Sequence, residues 1–201
     1  MVPGRPPHRI DSTAAGRAEI YLLTPEGGAA RRITSGDSSD VRPSWSHDGA
    51  WIYFGSNRGG AWGIWRIASD TPQPVPVQVT HDGSREAFED PGGTFLYYTK
   101  EPPTRGIWRM PLPAGSPERV SEEGVQGQWT IGRRGLYYLN GWNQLELMQL
   151  PTGTRLPIPA PGLRMSIGSG GLVAIAPDDR WLLVTVDIRS ESDLTLVENF
   201  R

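Results

Sequence analysis

A chain of 201 residues is long enough to bury a substantial core, and its 37% apolar content with a mean hydropathy of −0.42 is ordinary for a soluble domain. A formal charge of −2 gives no long-range attraction to phosphate, which excludes non-specific nucleic-acid binding by this segment, and the lack of cysteine excludes disulfides, thiolate chemistry and cysteine-ligated zinc. The 25 Gly and 19 Pro supply turns for many short strands rather than long helices.

In chain order, residues 1–16 open with MVPGRPPHRI, which holds three prolines and no apolar run. They are expected to be a disordered leader, with neither a signal peptide nor a membrane span. From residue 17 one pattern recurs: an apolar strand, a Gly- or Asp-bearing turn, a strand of Tyr and aliphatics, a polar loop, an alternating strand and a final strand. The first copy, 17–35, is half present as Ile20-Tyr21-Leu22-Leu23 and Arg32-Ile33-Thr34. The second, 41–80, is the clearest. Its Trp45-Ser46 leads into the turn His47-Asp48-Gly49, read as a two-residue hairpin turn, and then Trp51 to Gly55, the loop Ser56-Asn57-Arg58-Gly59-Gly60, Ile64-Trp65-Arg66-Ile67 and Val77-Gln78-Val79-Thr80. The third spans 84–122, with Phe95-Leu96-Tyr97-Tyr98 and Ile107-Trp108-Arg109-Met110. The fourth spans 126–160, with Leu136-Tyr137-Tyr138-Leu139 and Leu145 to Met148. The fifth spans 165–201, with Val173 to Ile175, Trp181 to Thr185 and Leu194 to Val197.

The third-strand markers Ile20, Ile64, Ile107, Leu145 and Leu194 recur at intervals of 38 to 49 residues. A four-stranded propeller blade takes roughly 40–45. No segment has the sustained helical period that an α/β fold needs for its crossovers, and a β-sandwich needs no such recurrence. The predicted fold is therefore all-β, a β-propeller of four-stranded antiparallel blades, about four to five of them, in an incomplete ring. Open terminal blades around Tyr21, Leu23, Leu194 and Leu196 imply self-association of the chain.

The residues Trp45-Ser46-His47-Asp48-Gly49, Ile52-Tyr53-Phe54, Ser56-Asn57-Arg58, Ile64-Trp65-Arg66-Ile67 and Val79-Thr80 resemble the repeat of TolB-like β-propellers. The resemblance runs from about residue 17 to 201. It is strong in the second copy and degraded in the others, which lack the Ser-Asn-Arg loop. The tail Ser192 to Arg201 is similar to the end of bacterial transcriptional regulators of the CadC-like type, in which a winged-helix DNA-binding domain, often followed by a membrane segment, precedes such a propeller. The family's DNA-binding residues match no position here. The resemblance implies a non-enzymatic binding or protein-interaction propeller, the sensory part of a regulator. It would be cytoplasmic as written and periplasmic if it belongs to a membrane-anchored regulator. The alternative is an accessory propeller of a prolyl-oligopeptidase-type serine peptidase.

No catalytic or metal-ligating residue and no cofactor is predicted. The sequence has no Gly-x-Ser-x-Gly elbow, its nearest approach being Gly168-Ser169-Gly170-Gly171, and His8, His47 and His81 lack the spacing of metal ligands. Asp37, Asp40, Glu86, Glu89, Asp90, Glu122, Glu123, Asp178 and Asp179 fall in connections and read as solvated turn residues. Trp45, Trp65, Trp108, Trp129 and Trp181 recur at equivalent strand positions and read as packing between blades. Two sets are candidates for a protein or peptide ligand. Arg42, Arg85 and Gln126 each stand three positions before Trp45, Phe88 and Trp129, where they would ring the channel mouth. Their competing role is pairing with Asp40, Glu86 or Glu89. Trp62 and Trp142 lie in loops outside the repeat pattern, on positions suited to a binding surface.

Overall fold

The computed structural model describes residues 8–12, 17–24, 27–100, 106–165, 172–188 and 191–198, which form eighteen β-strands and no helix. Among the described residues no helix is long and apolar enough to cross a membrane. The chain falls into two compact units, Met1–Glu89 and Asp90–Arg201.

The first unit begins with a three-stranded antiparallel sheet of β1 (His8–Ser12), β2 (Glu19–Leu23) and β3 (Arg31–Arg32), with β2 in the middle. His8–Ser12 was expected in a disordered leader. Instead it pairs along its whole length with β2, from His8 opposite Leu23 to Ser12 opposite Glu19. Arg-Ile-Asp alternation next to an apolar strand offers a free edge a partner, and backbone pairing needs no apolar run. The first copy is thus one strand fuller than the sequence count.

The second copy forms a four-stranded antiparallel meander of β4 (Asp40–Trp45), β5 (Trp51–Ser56), β6 (Gly63–Ala68) and β7 (Val77–Gln78), followed by β8 (Ala87–Glu89). Ile52 to Ser56 of β5 are all buried, as expected of a central strand covered on both faces. On one face Ile52, Phe54 and Ile67 pack with Ile20, Leu22 and Ile33 of the first sheet, and Trp45 and Trp65 lean against this cluster. Each such side chain contributes about 1.5–3 kcal/mol. On the other face, the Ser44 hydroxyl donates to the Ala87 carbonyl at 2.6 Å. Gly55 allows the backbone of Arg85 to approach, because a Cβ there would collide with the Arg85 carbonyl.

The turn after β4 differs from the two-residue hairpin that Asp48-Gly49 suggests. Gly49 N donates to the Ser46 carbonyl at 3.0 Å and Ser46 N to the Trp51 carbonyl at 2.9 Å, so five residues separate the strands. Gly49 takes φ +73°, while Asp48 caps the turn by accepting from Ser46 Oγ (2.6 Å) and Ala50 N (2.9 Å). A side-chain cap competes with the mirror-image hairpin and wins here.

The Thr that ends each of the first two copies has a physical role. Thr34 Oγ1 accepts from Ile20 N at 3.0 Å, and Thr80 Oγ1 accepts from Ile64 N at 2.9 Å. The backbone NH groups of Ile33 and Thr34 reach the Ile20 carbonyl, and those of Val79 and Thr80 reach the Ile64 carbonyl. The repeated Ile-Thr and Val-Thr endings thus anchor the last strand to the third.

The second unit holds β9 (Phe95–Lys100), β10 (Gly106–Pro111) and β11 (Glu118–Ser121), paired antiparallel in that order. A complete four-stranded meander follows, β12 (Trp129–Gly132), β13 (Gly135–Leu139), β14 (Leu145–Gln149) and β15 (Arg155–Pro157). The chain then forms a three-stranded sheet of β16 (Val173–Ile175), β17 (Trp181–Ile188) and β18 (Glu191–Glu198). All five residues of β13 are buried. Tyr137, Leu139, Leu145 and Leu147 pack against Val173, Leu182, Val184 and Val186, so these two sheets share one core. The markers Ile20, Ile64, Ile107, Leu145 and Leu194 all fall on strands, and the sheets are the blades of the expected all-β fold.

Candidate binding surfaces

The candidate residues of the first unit lie where β4 begins, where β5 hands over to β6, and where the chain approaches β8. Arg42 occupies a bulge between Val41 and Ser44 and takes φ +51°, a left-handed conformation rare for arginine. Its Nη1 lies 3.3 Å from Glu86 Oε1, with the carboxylate only 5% exposed. This is the pairing with Glu86 that competes with a ligand role for Arg42. The Arg85 guanidinium stacks 4.1 Å from the Trp62 ring centroid, and the Trp62 carbonyl accepts from Gly83 N. Trp62 is therefore half-buried beneath a cation rather than freely displayed. Gln126 belongs to the second unit, at a half-buried position in the turn closed by Gln128 N and the Val125 carbonyl.

The Ser-Asn-Arg loop braces the blade. Arg58 Nη2 lies 2.6 Å from Asp40 Oδ2, the Asp40 side chain being 1% exposed. The Arg58 Nε donates to Ser56 Oγ at 3.0 Å, and its guanidinium covers the rings of Phe54 and Trp65. Asn57 Oδ1 accepts from Ser39 N at 2.9 Å, tying the loop to the chain entering β4.

Several carboxylates read as solvated turn residues prove to be internal clamps. Asp40 and Glu86 are buried. Glu89 accepts from Tyr53 OH through one oxygen and His47 N through the other, both at 2.7 Å. In the second unit Asp179, at φ +57°, accepts from Arg134 N at 2.9 Å and Tyr137 OH at 3.2 Å. Burial, reinforced by the carboxylate each hydroxyl faces, pushes the Tyr53 and Tyr137 phenols far above their ordinary range. Tyr53 and Tyr137 stand at the same place in their strands, each answered by a carboxylate about one repeat later. That recurrence is a sequence signal for the pair, visible only when acids one repeat apart are compared with the tyrosines they face. Asp37 and Glu122 do remain exposed.

Trp142 is the most exposed large apolar side chain among the described residues, at 85%. Its turn is pinned. Asn140 Oδ1 accepts from Trp142 N (2.9 Å) and Gln144 N (3.0 Å), and Asn140 Nδ2 donates to Glu146 Oε1 at 2.8 Å. Glu146 also accepts from Tyr138 OH. The adjacent Asn143 takes φ +58°. Beside this turn opens a groove of about 500 Å³ lined by Asn143, Gln144, Ile158, Pro159, Leu163 and Met165 among others. The pinned turn thus carries an exposed indole, and its residues Asn143 and Gln144 line the apolar trough.

Among the described residues no three His, Cys, Asp or Glu side chains gather as a metal site would require. His47 and His81 are exposed. Gly168 to Gly171 lie outside the described residues.

No protein-family model matches the chain. Over 52 residues it is 40% identical to the uncharacterized protein Atu1656 of Agrobacterium fabrum, a match covering 26% of this chain and 18% of that protein. Among solved structures it is similar to TolB from Acinetobacter baumannii, with TM-score 0.75 and 12% identity over 96% of this chain and 49% of that one. It is also similar to a putative TolB from Agrobacterium tumefaciens (TM-score 0.62, 19% identity, 76% and 60% coverage). A puromycin-hydrolyzing peptidase of Mycobacterium tuberculosis gives TM-score 0.62 at 14% identity, over 90% of this chain and 32% of the peptidase. The chain spans about half the length of the first TolB and less than two thirds of the second. At these identities the likeness shows the fold, a TolB-like β-propeller.

Proposed function

We propose that this chain is a non-enzymatic binding propeller, the sensory or protein-interaction part of a bacterial transcriptional regulator, and that its ligand is a protein or peptide. The observation that carries the binding reading is Trp142, a solvent-facing indole fixed by the Asn140 cap beside an apolar groove. An aromatic anchor on a rigid scaffold gives large contact area at little ordering cost. The regulator context is supported by the tail Ser192 to Arg201, which is similar to the end of CadC-like regulators. A second reading, the accessory propeller of a prolyl-oligopeptidase-type peptidase, is favoured by the likeness to the mycobacterial peptidase.

Two observations test these readings. A winged-helix sequence encoded upstream in the same reading frame supports the regulator, and an α/β-hydrolase sequence downstream supports the peptidase. For binding itself, a photoreactive phenylalanine analogue at position 142 should cross-link a discrete protein in cells, while the same group at Val75, exposed in the other unit, should not. Equal labelling at both positions, or none at 142, refutes the assignment.

A further inference from the structure

A second concavity lies in the first unit, away from Trp62, Arg42 and the loops between β5 and β6. It has a volume of about 580 Å³, and its wall includes Leu22, Arg31, Trp45, His47, Asp48 and Asp70. Pockets for small ligands run to roughly 300–1,000 Å³. The floor is apolar, because Leu22 is buried and Trp45, partly exposed, rests against the core cluster. The rim is polar and of mixed sign. Arg31 spends one Nη2 hydrogen on the Ser69 carbonyl at 2.7 Å and keeps the rest of its donor fork. Asp48 uses Oδ1 to hold its own turn, and no hydrogen bond among the described residues takes its Oδ2. The His47 backbone NH is tied to Glu89, which fixes the residue while its imidazole stays exposed. No hydrogen bond from the described residues reaches the exposed Asp70 carboxylate. Arg31, His47 and Asp48 are thus positioned by bonds that leave other donor or acceptor atoms unused.

We infer that this groove binds a neutral carbohydrate, with one pyranose ring lying on Trp45 and its hydroxyls shared between Asp48, Asp70, Arg31 and His47. Hydrogen-bonding capacity decides the class. A cationic ligand offers no acceptor to the Arg31 donors, and an anionic one offers no donor to the Asp48 and Asp70 carboxylates. A hydroxyl both donates and accepts, so a polyol satisfies carboxylates and guanidinium at once. The C–H face of a pyranose carries the slight positive charge that suits the negative face of an indole. The inference stands apart from the Trp142 reading, which concerns the other unit.

The test is saturation-transfer difference NMR on the whole chain with the methyl glycosides of glucose, galactose, mannose and N-acetylglucosamine, each titrated to ~10 mM. At least one should show saturable transfer. Asp70→Asn should weaken it tenfold or more with the melting temperature unchanged, because that exposed carboxylate supports nothing else, and Trp142→Ala should leave it intact. Trp45→Ala should also abolish binding, but it touches the core, so Asp70→Asn is the deciding variant. Three outcomes overturn the inference: no transfer to any of the four glycosides, transfer unchanged in Asp70→Asn, or transfer only to tetramethylammonium or acetate.

Discussion

Replacing Arg58 by methionine should destabilise the first unit strongly. The guanidinium sits 2.6 Å from an Asp40 carboxylate that is 1% exposed, and Arg58 itself is 17% exposed, so the pair is shielded from water. Among the described residues, the Asp40 carboxylate has besides Arg58 a single long contact, from Ser38 Oγ at 3.4 Å. Removing the cation therefore leaves a buried charge without compensation, which costs about 3–5 kcal/mol. The lost bond to Ser56 and the lost ring contacts with Phe54 and Trp65 add to this, although methionine keeps part of the packing. Set against a total stability of about 5–15 kcal/mol, the change is large. With a urea slope of about 1–3 kcal/mol per molar, the unfolding midpoint followed by tryptophan fluorescence should fall by about 2 M. The double variant Asp40→Ala with Arg58→Met removes the orphaned charge, so it should be less unstable than the sum of the single variants by about 0.5–3 kcal/mol. An Arg58→Met protein within ~1 kcal/mol of wild type, or strictly additive single variants, refutes the idea that Asp40 depends on Arg58.

Two further outcomes are expected. Tyr53, Tyr137 and Tyr138 should resist ionisation, since burial and a facing carboxylate raise each phenol above the ordinary value of 10.0. Between that value and the folded-state one the native chain keeps protons that the unfolded chain has lost. Their contribution to stability should therefore be full below pH about 10 and be lost as pH rises further, and a phenolate absorbance titration in which all six tyrosines ionise together near 10 refutes this. Gly55→Ala should lower the melting temperature by about 4–20 °C, for about 1–3 kcal/mol of overpacking against the Arg85 backbone. Gly141→Ala, where a Cβ meets nothing within 4 Å, should not, and equal effects in a thermal melt remove the close-approach argument.

The repeat was legible because its signals are local. Turn glycines, second-strand aromatics and terminal threonines recur at the blade period, and the glycines and threonines act through bonds inside their own sheet, as Thr34 with Ile20 and Thr80 with Ile64. Strand β1 leaves no mark in the sequence because its pairing is a backbone property of the edge it meets and it carries no apolar alternation. The two-residue hairpin failed at Asp48 for a similar reason, as a side-chain cap set the turn geometry.

The candidate sites divide the same way. Sequence alone marked Arg42, Arg85, Trp62 and Trp142 as outside the packing pattern, since charge and loop position are one-dimensional facts. Only the folded chain decided what each could still do, because a polar group's availability depends on who reaches it. Arg42 is met by Glu86, Arg85 lies on Trp62, and Trp142 is left in solvent by a cap that satisfies its backbone and ignores its ring. Partners arriving from another sheet, 42 residues away for Tyr137 and Asp179, are set by blade packing. The groove over Trp45 exists for the same reason: its floor joins Leu22 of the first sheet to Trp45 of the second, and no local pattern records their meeting.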